Sequence, residues 1–280
     1  GAALVIPPRF AADVAAGRTG HVQLVLDGTD PQVVGNASSA ATSLAAARSA
    51  SLVAERLSRG GAAPPPPAID LAESILYNPE QRTAVNVVPG LIGVILSLTM
   101  VMLTSMALAR ERERGTLEQL IVSPVKTIEI VIGKIAPYVL IGYVQMALIL
   151  AAARAVFAVP IAGSLALLFA IAFVFIAANL AVGLFFSTLA KTQQQAMQMS
   201  IFFLLPNILL SGFVFPFDAM PLFARVLSQA LPLTHFIRVV RGITLKASVL
   251  GDLAGELAWM SGILLALVTL SSLRFRKKLV

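Results

Sequence analysis

This sequence predicts a mainly α-helical polytopic membrane protein preceded by a small α/β domain. Three observations carry that prediction. Of the 280 residues, 58% are hydrophobic and 12% charged, where a soluble domain carries roughly 25% charged residues. Mean hydropathy is +0.87. From residue 87 onward, long apolar runs alternate with short, mostly basic connections, whereas residues 1–86 show the short runs and Gly/Pro breaks of a globular unit.

In the first 86 residues, Ala2 to Ile6 is a short apolar run ending at Pro7-Pro8, which suits a buried strand. Arg9 to Ala16 predicts a short helix, stopped near Gly17. His21 to Leu26 alternates as a strand does, and Asp27-Gly28 makes a turn. Asp30-Pro31 is a helix start, an N-cap acid followed by proline at the first helical position. The alanine-rich stretch from Gln32 to Leu57 forms that helix and stops at Gly60-Gly61. Pro64 to Pro67 reads as a stiff polyproline spacer, and Ile69 to Tyr77 as a further strand. Turn and cap roles account for Asp27 and Asp30 better than a metal pair does. His21, with no second histidine near it, reads as a satisfied structural residue. The unit has no catalytic constellation.

Five stretches approach the roughly 20 apolar residues that a span needs. They are 87–109, 135–153, 161–186, 196–217 and 257–273, and none contains Asp, Glu, Lys, Arg or His. Pro206 inside the fourth predicts a kink, with Asn207 placed to satisfy a freed backbone group. Between the fourth and fifth, residues 218–246 hold two apolar stretches broken at Pro232. Each is too short to cross, so they read as half-helices that dip into the outer leaflet or lie on it. His235 and Arg238 would then sit at head-group level. No carboxylate or nucleophile is spaced in sequence to make His235 catalytic.

Basic residues set the orientation. Arg110, Arg112, Arg114, Lys126 and Lys134 fall in the first connection, Lys191 in the third, and Arg274, Arg276, Lys277 and Lys278 in the tail. Those regions are expected in the cytoplasm. Residues 1–86 and 218–256 are expected outside, with Tyr138 and Trp259 as interfacial aromatics. An outside N-terminal domain ahead of five spans calls for one more helix before Gly1, making six.

Residues 110–134 hold nine charged residues between two apolar runs. Thr116 and Gln119 have capping-box spacing, Leu117, Leu120 and Ile121 share a helix face, and Ser123-Pro124 ends that helix and starts another. This elbow is either an interfacial anchor or a lever for an outside motor. The charge-free spans favour the lever, because ion-coupled transporters place ionisable groups in the membrane. No G-x-x-x-x-G-K-[ST] loop is present, so the chain has no ATP-binding loop of that kind. There is no cysteine, which excludes disulfides and thiolate chemistry. A membrane enzyme would cluster polar groups at one depth, and no such cluster is visible. A channel, which would conduct without ATP, and a membrane scaffold or sensor protein with an outer domain and no transport activity, are the other readings.

The runs ERERGTLEQLIVSPVKTIEIVIGKIAPY, STLAKTQQQAMQMSIFFLLPNILLSGFVFP and LPLTHFIRVVRGITLK and the terminal LRFRKK resemble the membrane subunit of ABC-2 type exporters. The nearest likeness is to bacterial multidrug-type permeases with a large extracytoplasmic domain, and the opening IPPRFAADVAAGR and VQLVLDGTDP resemble that domain. The resemblance implies a non-enzymatic permease of the bacterial inner membrane exporting a hydrophobic or amphiphilic substrate. It implies 1–86 as part of an extracytoplasmic domain, 87–280 as the transmembrane domain, 110–134 as a coupling helix, and 218–246 as an extracellular re-entrant hairpin. Glu113, Gly115, Thr116, Leu117, Glu118, Gln119, Ser123 and Pro124 would contact a cytoplasmic ABC ATPase. That ATPase would hold ATP and Mg; this chain would bind no cofactor or metal. A second permease subunit, like or unlike, and a periplasmic adaptor of the membrane-fusion type are further implied partners, besides the lipid bilayer, with no nucleic acid. Gln145, Asn179, Gln198 and Asn207 are candidates to line a translocation path, or equally interhelical hydrogen bonds worth about 0.6 kcal/mol each.

Overall fold

The computed structural model describes residues 2–29, 31–58, 68–115 and 127–274. The chain divides into two compact units, Gly1–Asn86 and Val87–Val280.

The first unit contains β1 (Ala2–Val5), α1 (Phe10–Ala15), β2 (Gly20–Asp27), α2 (Pro31–Ser58) and β3 (Ile69–Leu76). The sheet order is β1-β2-β3. β1 pairs antiparallel with β2, and β2 pairs parallel with β3, so β2, α2 and β3 make a crossover unit. Alternation along β2 buries Val22, Leu24 and Leu26. Leu24, Leu26 and Val34 form the core of this unit, with Ala37, Ala41, Leu71 and Ile75 packed on it. Polar groups fasten α2 along its length. Ser38 Oγ donates to Glu73 Oε1 at 2.7 Å, and Ser49 Oγ accepts from the Ala68 amide at 2.8 Å. Arg56 donates to the carbonyls of Val14 and Arg18 at 3.0 and 3.2 Å. Asp27 makes its turn by accepting from both the amide and the hydroxyl of Thr29. His21 is not alone: its cross-strand neighbour in register is Asp70, and Nδ1 lies 3.0 Å from Asp70 Oδ2. Asp30 and the spacer Pro64–Pro67 fall outside the described residues.

The second unit is helical: α3 (Thr83–Glu113), α4 (Thr127–Phe157), α5 (Leu165–Leu189), α6 (Gln193–Leu210), α7 (Leu222–Ser228), α8 (Pro232–Lys246) and α9 (Leu250–Arg274). Among the described residues, four segments are long and apolar enough to cross a membrane: Thr83–Glu113, Ile135–Phe157, Leu165–Leu189 and Leu250–Leu273. α5 is the hub, with Leu168, Ile171, Phe175, Ile176 and Leu180 all enclosed. Phe175 stacks on Phe236 of α8 with centroids 3.9 Å apart. Small residues permit close approach. A Cβ on Gly183 would stand 2.7 Å from the Val101 carbonyl oxygen, so α5 and α3 meet backbone to backbone there.

Four sequence expectations are corrected. The stretch 196–217 is not one span: α6 covers Gln193–Leu210 and the chain then turns at Gly212, with φ +80°. Its opening Gln193-Gln194-Gln195 lowers its apolarity, and glycine supplies the left-handed turn. Asn207 does not repair the backbone around Pro206, since neither of its side-chain polar atoms has a partner among the described residues. α8 does not lie on a surface: all its residues except Arg238, Arg241 and Lys246 are buried. Its apolar face is covered by α5, α9 and the Gly93 stretch of α3. Finally, the apolar helices are not charge-free, since α9 begins at Leu250 and so contains Asp252 and Glu256.

Candidate functional site

Two constellations of polar side chains stand out against this apolar frame. The first lies where α3 enters the elbow. The helix runs on to Glu113, so Arg110, Arg112 and Glu113 form its last turn and are not loop residues. Gly115 has φ +68° and its amide bonds to the Arg112 carbonyl at 3.2 Å. A left-handed glycine just past a helix is a C-terminal stop. Gly115 therefore ends α3.

The last turn of α3 is tied to the α5–α6 corner by three side chains. Glu113 accepts from the Gln193 amide at 2.8 Å and from Gln193 Nε2 at 2.5 Å. Arg110 Nε donates to Gln193 Oε1 at 3.2 Å. Arg112 donates to the Ala190 carbonyl at 2.8 Å. The chemistry suits the helix ends. A carboxylate meets the exposed amides and positive end of α6, and a guanidinium meets the carbonyl end of α5. Thr192 completes the α6 cap by accepting from the Gln195 amide. Charge, caps and backbone thus join α3, α5 and α6 at one place. Thr116, Leu117, Glu118, Gln119, Ser123 and Pro124 lie outside the described residues.

The second constellation was not anticipated. His235 on α8 is fully buried. Its Nδ1 lies 2.5 Å from Glu256 Oε2 on α9, and its Nε2 lies 2.9 Å from the Gln229 carbonyl. Arg238 Nη1 donates to Glu256 Oε1 at 3.1 Å, and its guanidinium sits over the Phe217 ring at 4.3 Å. Trp259 stacks on the imidazole, with centroids 5.9 Å apart and planes 7° apart. It is thus a partner of His235, ten residues into α9. The carboxylate missing from the sequence reading is Glu256, 21 residues downstream of His235. Ala247 makes the meeting possible, because its left-handed turn (φ 52°) folds α9 back against α8. A histidine and an arginine one turn apart, followed by two acids at the head of an apolar run, was the available signal.

The four lining candidates separate. Asn179 and Asn207 are fully buried, Gln198 is exposed, and Gln145 is half-buried. Asn179 Nδ2 donates to the Phe175 carbonyl within its own helix, and its Oδ1 has no partner among the described residues. Gln145 Oε1 accepts from Thr99 Oγ1 at 2.7 Å, which makes it an α3–α4 tie. Among the described residues no group of His, Cys, Asp and Glu is arranged to hold a metal ion.

A family model, ABC-2 family transporter protein, matches residues 1–273. The chain belongs to the ABC-2 transporter family. With four apolar helices of spanning length, this ABC-2 chain is a multi-pass membrane protein. It is 38% identical to the probable multidrug ABC transporter permease YbhR of Escherichia coli (strain K12), over 66% of this chain and 49% of that one. It is 28% identical to the probable multidrug ABC transporter permease YbhS of the same strain, over 88% and 64%. It is 30% identical to the inner membrane transport permease YhhJ, also of that strain, over 98% and 72%. The chain therefore spans about half to three-quarters of the length of these curated relatives.

Proposed function

We propose that this ABC-2 chain is the membrane permease of an ATP-driven exporter, moving a hydrophobic or amphiphilic substrate out of the cytoplasm or the inner leaflet. The observation that carries the proposal is the family match across residues 1–273, on a chain whose helical unit is of membrane-spanning apolarity. The names of YbhR, YbhS and YhhJ, all permeases, support the same reading.

In this proposal the protein sits in the bacterial inner membrane, with residues 1–86 outside and the 110–134 elbow in the cytoplasm. Two permease subunits, like or unlike, pair with two ABC ATPase subunits that hold ATP and Mg, and a periplasmic adaptor can dock on the outer domain. Closure of the ATPases pushes the elbow. The push enters α3 through its last turn. Glu113, Arg110 and Arg112 spread it to the α5–α6 corner, so three helices move as one body. Asn179 and Asn207 offer buried polar groups among the apolar helices, as a path for an amphiphile requires.

The test uses inside-out vesicles holding the full-length permease with its ATPase. Reversal of Glu118 to lysine is expected to abolish co-purification of the ATPase and ATP-dependent efflux, with permease abundance in the membrane unchanged. Intact complex and efflux would sink the coupling role. Glu113 is a poor residue for this test, because it also caps α6.

A further inference from the structure

The His235–Glu256 pair has a proton count that its geometry dictates. A carbonyl oxygen only accepts, so the 2.9 Å contact with Gln229 requires a hydrogen on His235 Nε2. The 2.5 Å contact between Nδ1 and Glu256 Oε2 requires a second proton between them, whichever atom carries it. Without that proton, an imidazole lone pair would face a carboxylate lone pair at contact distance.

We propose that His235 and Glu256 form a proton-binding site that latches the α7–α8 turn to α9, closed when the shared proton is bound and released when it leaves. The charged neighbours fit a site for one proton. Arg238 holds Glu256 from the same helix and keeps it in place in both states. Arg241, one turn on, donates to the Gly212 carbonyl, and Arg225 of α7 donates to the Met220 carbonyl. Asp252 of α9 accepts from the Val249 amide at the start of its own helix. The turn Phe217–Ala219 carries one acid, Asp218. α5 and the first 27 residues of α3, packed on the other side, carry no titratable group. Burial of His235 at 0% exposure leaves no water to replace the lost bond, so deprotonation leaves an unpaired buried nitrogen, a costly state that the turn relieves by opening. The release is local: Gln229, Ala230, Leu231 and the first turn of α8 move, while Arg238 still tethers the helix. The inference needs no assumption about transport or orientation.

The chain carries a probe for this event. Trp259 is its one tryptophan and lies on the imidazole, where a protonated ring quenches it. The emission of the full-length protein, minus that of its Trp259→Phe variant, isolates this residue. It is expected to rise in one transition as rising pH removes the shared proton. Glu256→Gln is the informative variant. Its amide donates to Nδ1 without a titrating proton, so the transition is expected to be displaced from that of the wild type. Hydrogen exchange over residues 229–237, compared at a single pH above the wild-type transition, is expected to be about tenfold faster in the wild type than in E256Q, with no difference below it. A flat Trp259 titration, coincident wild-type and E256Q transitions, or equal exchange at high pH would each overturn the latch.

Discussion

Glu113 and Gln193 stand 80 residues apart in the chain, and the carboxylate of one takes both the backbone and the side-chain N–H of the other. The contact turns the end of α3 into the cap of α6. At this contact the charged mouth of the elbow grips another apolar helix through a carboxylate, and it sets the first prediction.

Gln193→Ala removes the side-chain donor and leaves the backbone bond. The helices should still fold, because the α3–α6 seam retains the Ser105–Ser200 hydroxyl pair at 2.8 Å and the Phe213 ring lies on Gly90. ATP-dependent efflux is expected to fall several-fold with ATPase binding unchanged. A parallel loss of ATPase binding would mean that the pair shapes the docking surface and does not transmit movement.

Two glycines of the helical unit should respond oppositely to alanine. At Gly183 the new methyl meets the Val101 oxygen at 2.7 Å and Thr104 Cβ at 2.8 Å. Forcing α3 from α5 is expected to destabilise the unit by about 1–3 kcal/mol. At Gly255 nothing lies within 4 Å, and alanine should stabilise α9 by about 0.5–1 kcal/mol. Thermal unfolding of the detergent-solubilised protein reads both, as a lower and a higher midpoint.

Asn207 distinguishes packing from passage. It is fully buried, with Nδ2 and Oδ1 both without partners among the described residues. An orphan of this kind costs about 1–3 kcal/mol. α3 and α6 run antiparallel, with contacts at Gly90–Phe213, Ser105–Ser200 and Arg110–Gln193. That register sets Ser97, whose hydroxyl is likewise unpaired, at the level of Asn207. Asn207→Leu is expected to raise the unfolding midpoint and to lower efflux. Higher stability with undiminished efflux would remove Asn207 from the path.

Much of the fold was legible because it rests on local pattern. The alternation of His21 to Leu26 predicted β2, the Asp27-Gly28 turn ended it, and the alanine-rich run predicted α2 between two strands. Pro232 marked the start of α8, since proline fits a first helical turn and breaks the stretch before it. The sites were less legible. α5 and α9 are apolar on nearly every side, so no periodicity announces which face meets a neighbour. Glu256 in isolation reads as a residue just before a span, and Gln193 as one glutamine of three. The bounds expected for 196–217 failed for a related reason: hydropathy alone ran past Gly212, where the chain turns.

The sequence by itself determined that the chain spans a membrane, that a β-α-β unit precedes the apolar helices, and that charge concentrates at the elbow. Those properties follow from composition and from side-chain periods of two and 3.6, which act over a few residues. Only the tertiary structure decided which charges have partners. Glu113 caps α6 instead of standing in a free loop, and His235 meets Glu256 across the turn at Ala247. A buried charge such as that between His235 and Glu256 is tolerated only beside its complement, whereas the exposed Glu113 takes the open amides at a helix start; in both cases helix packing chooses the partner, across 21 or 80 residues of sequence.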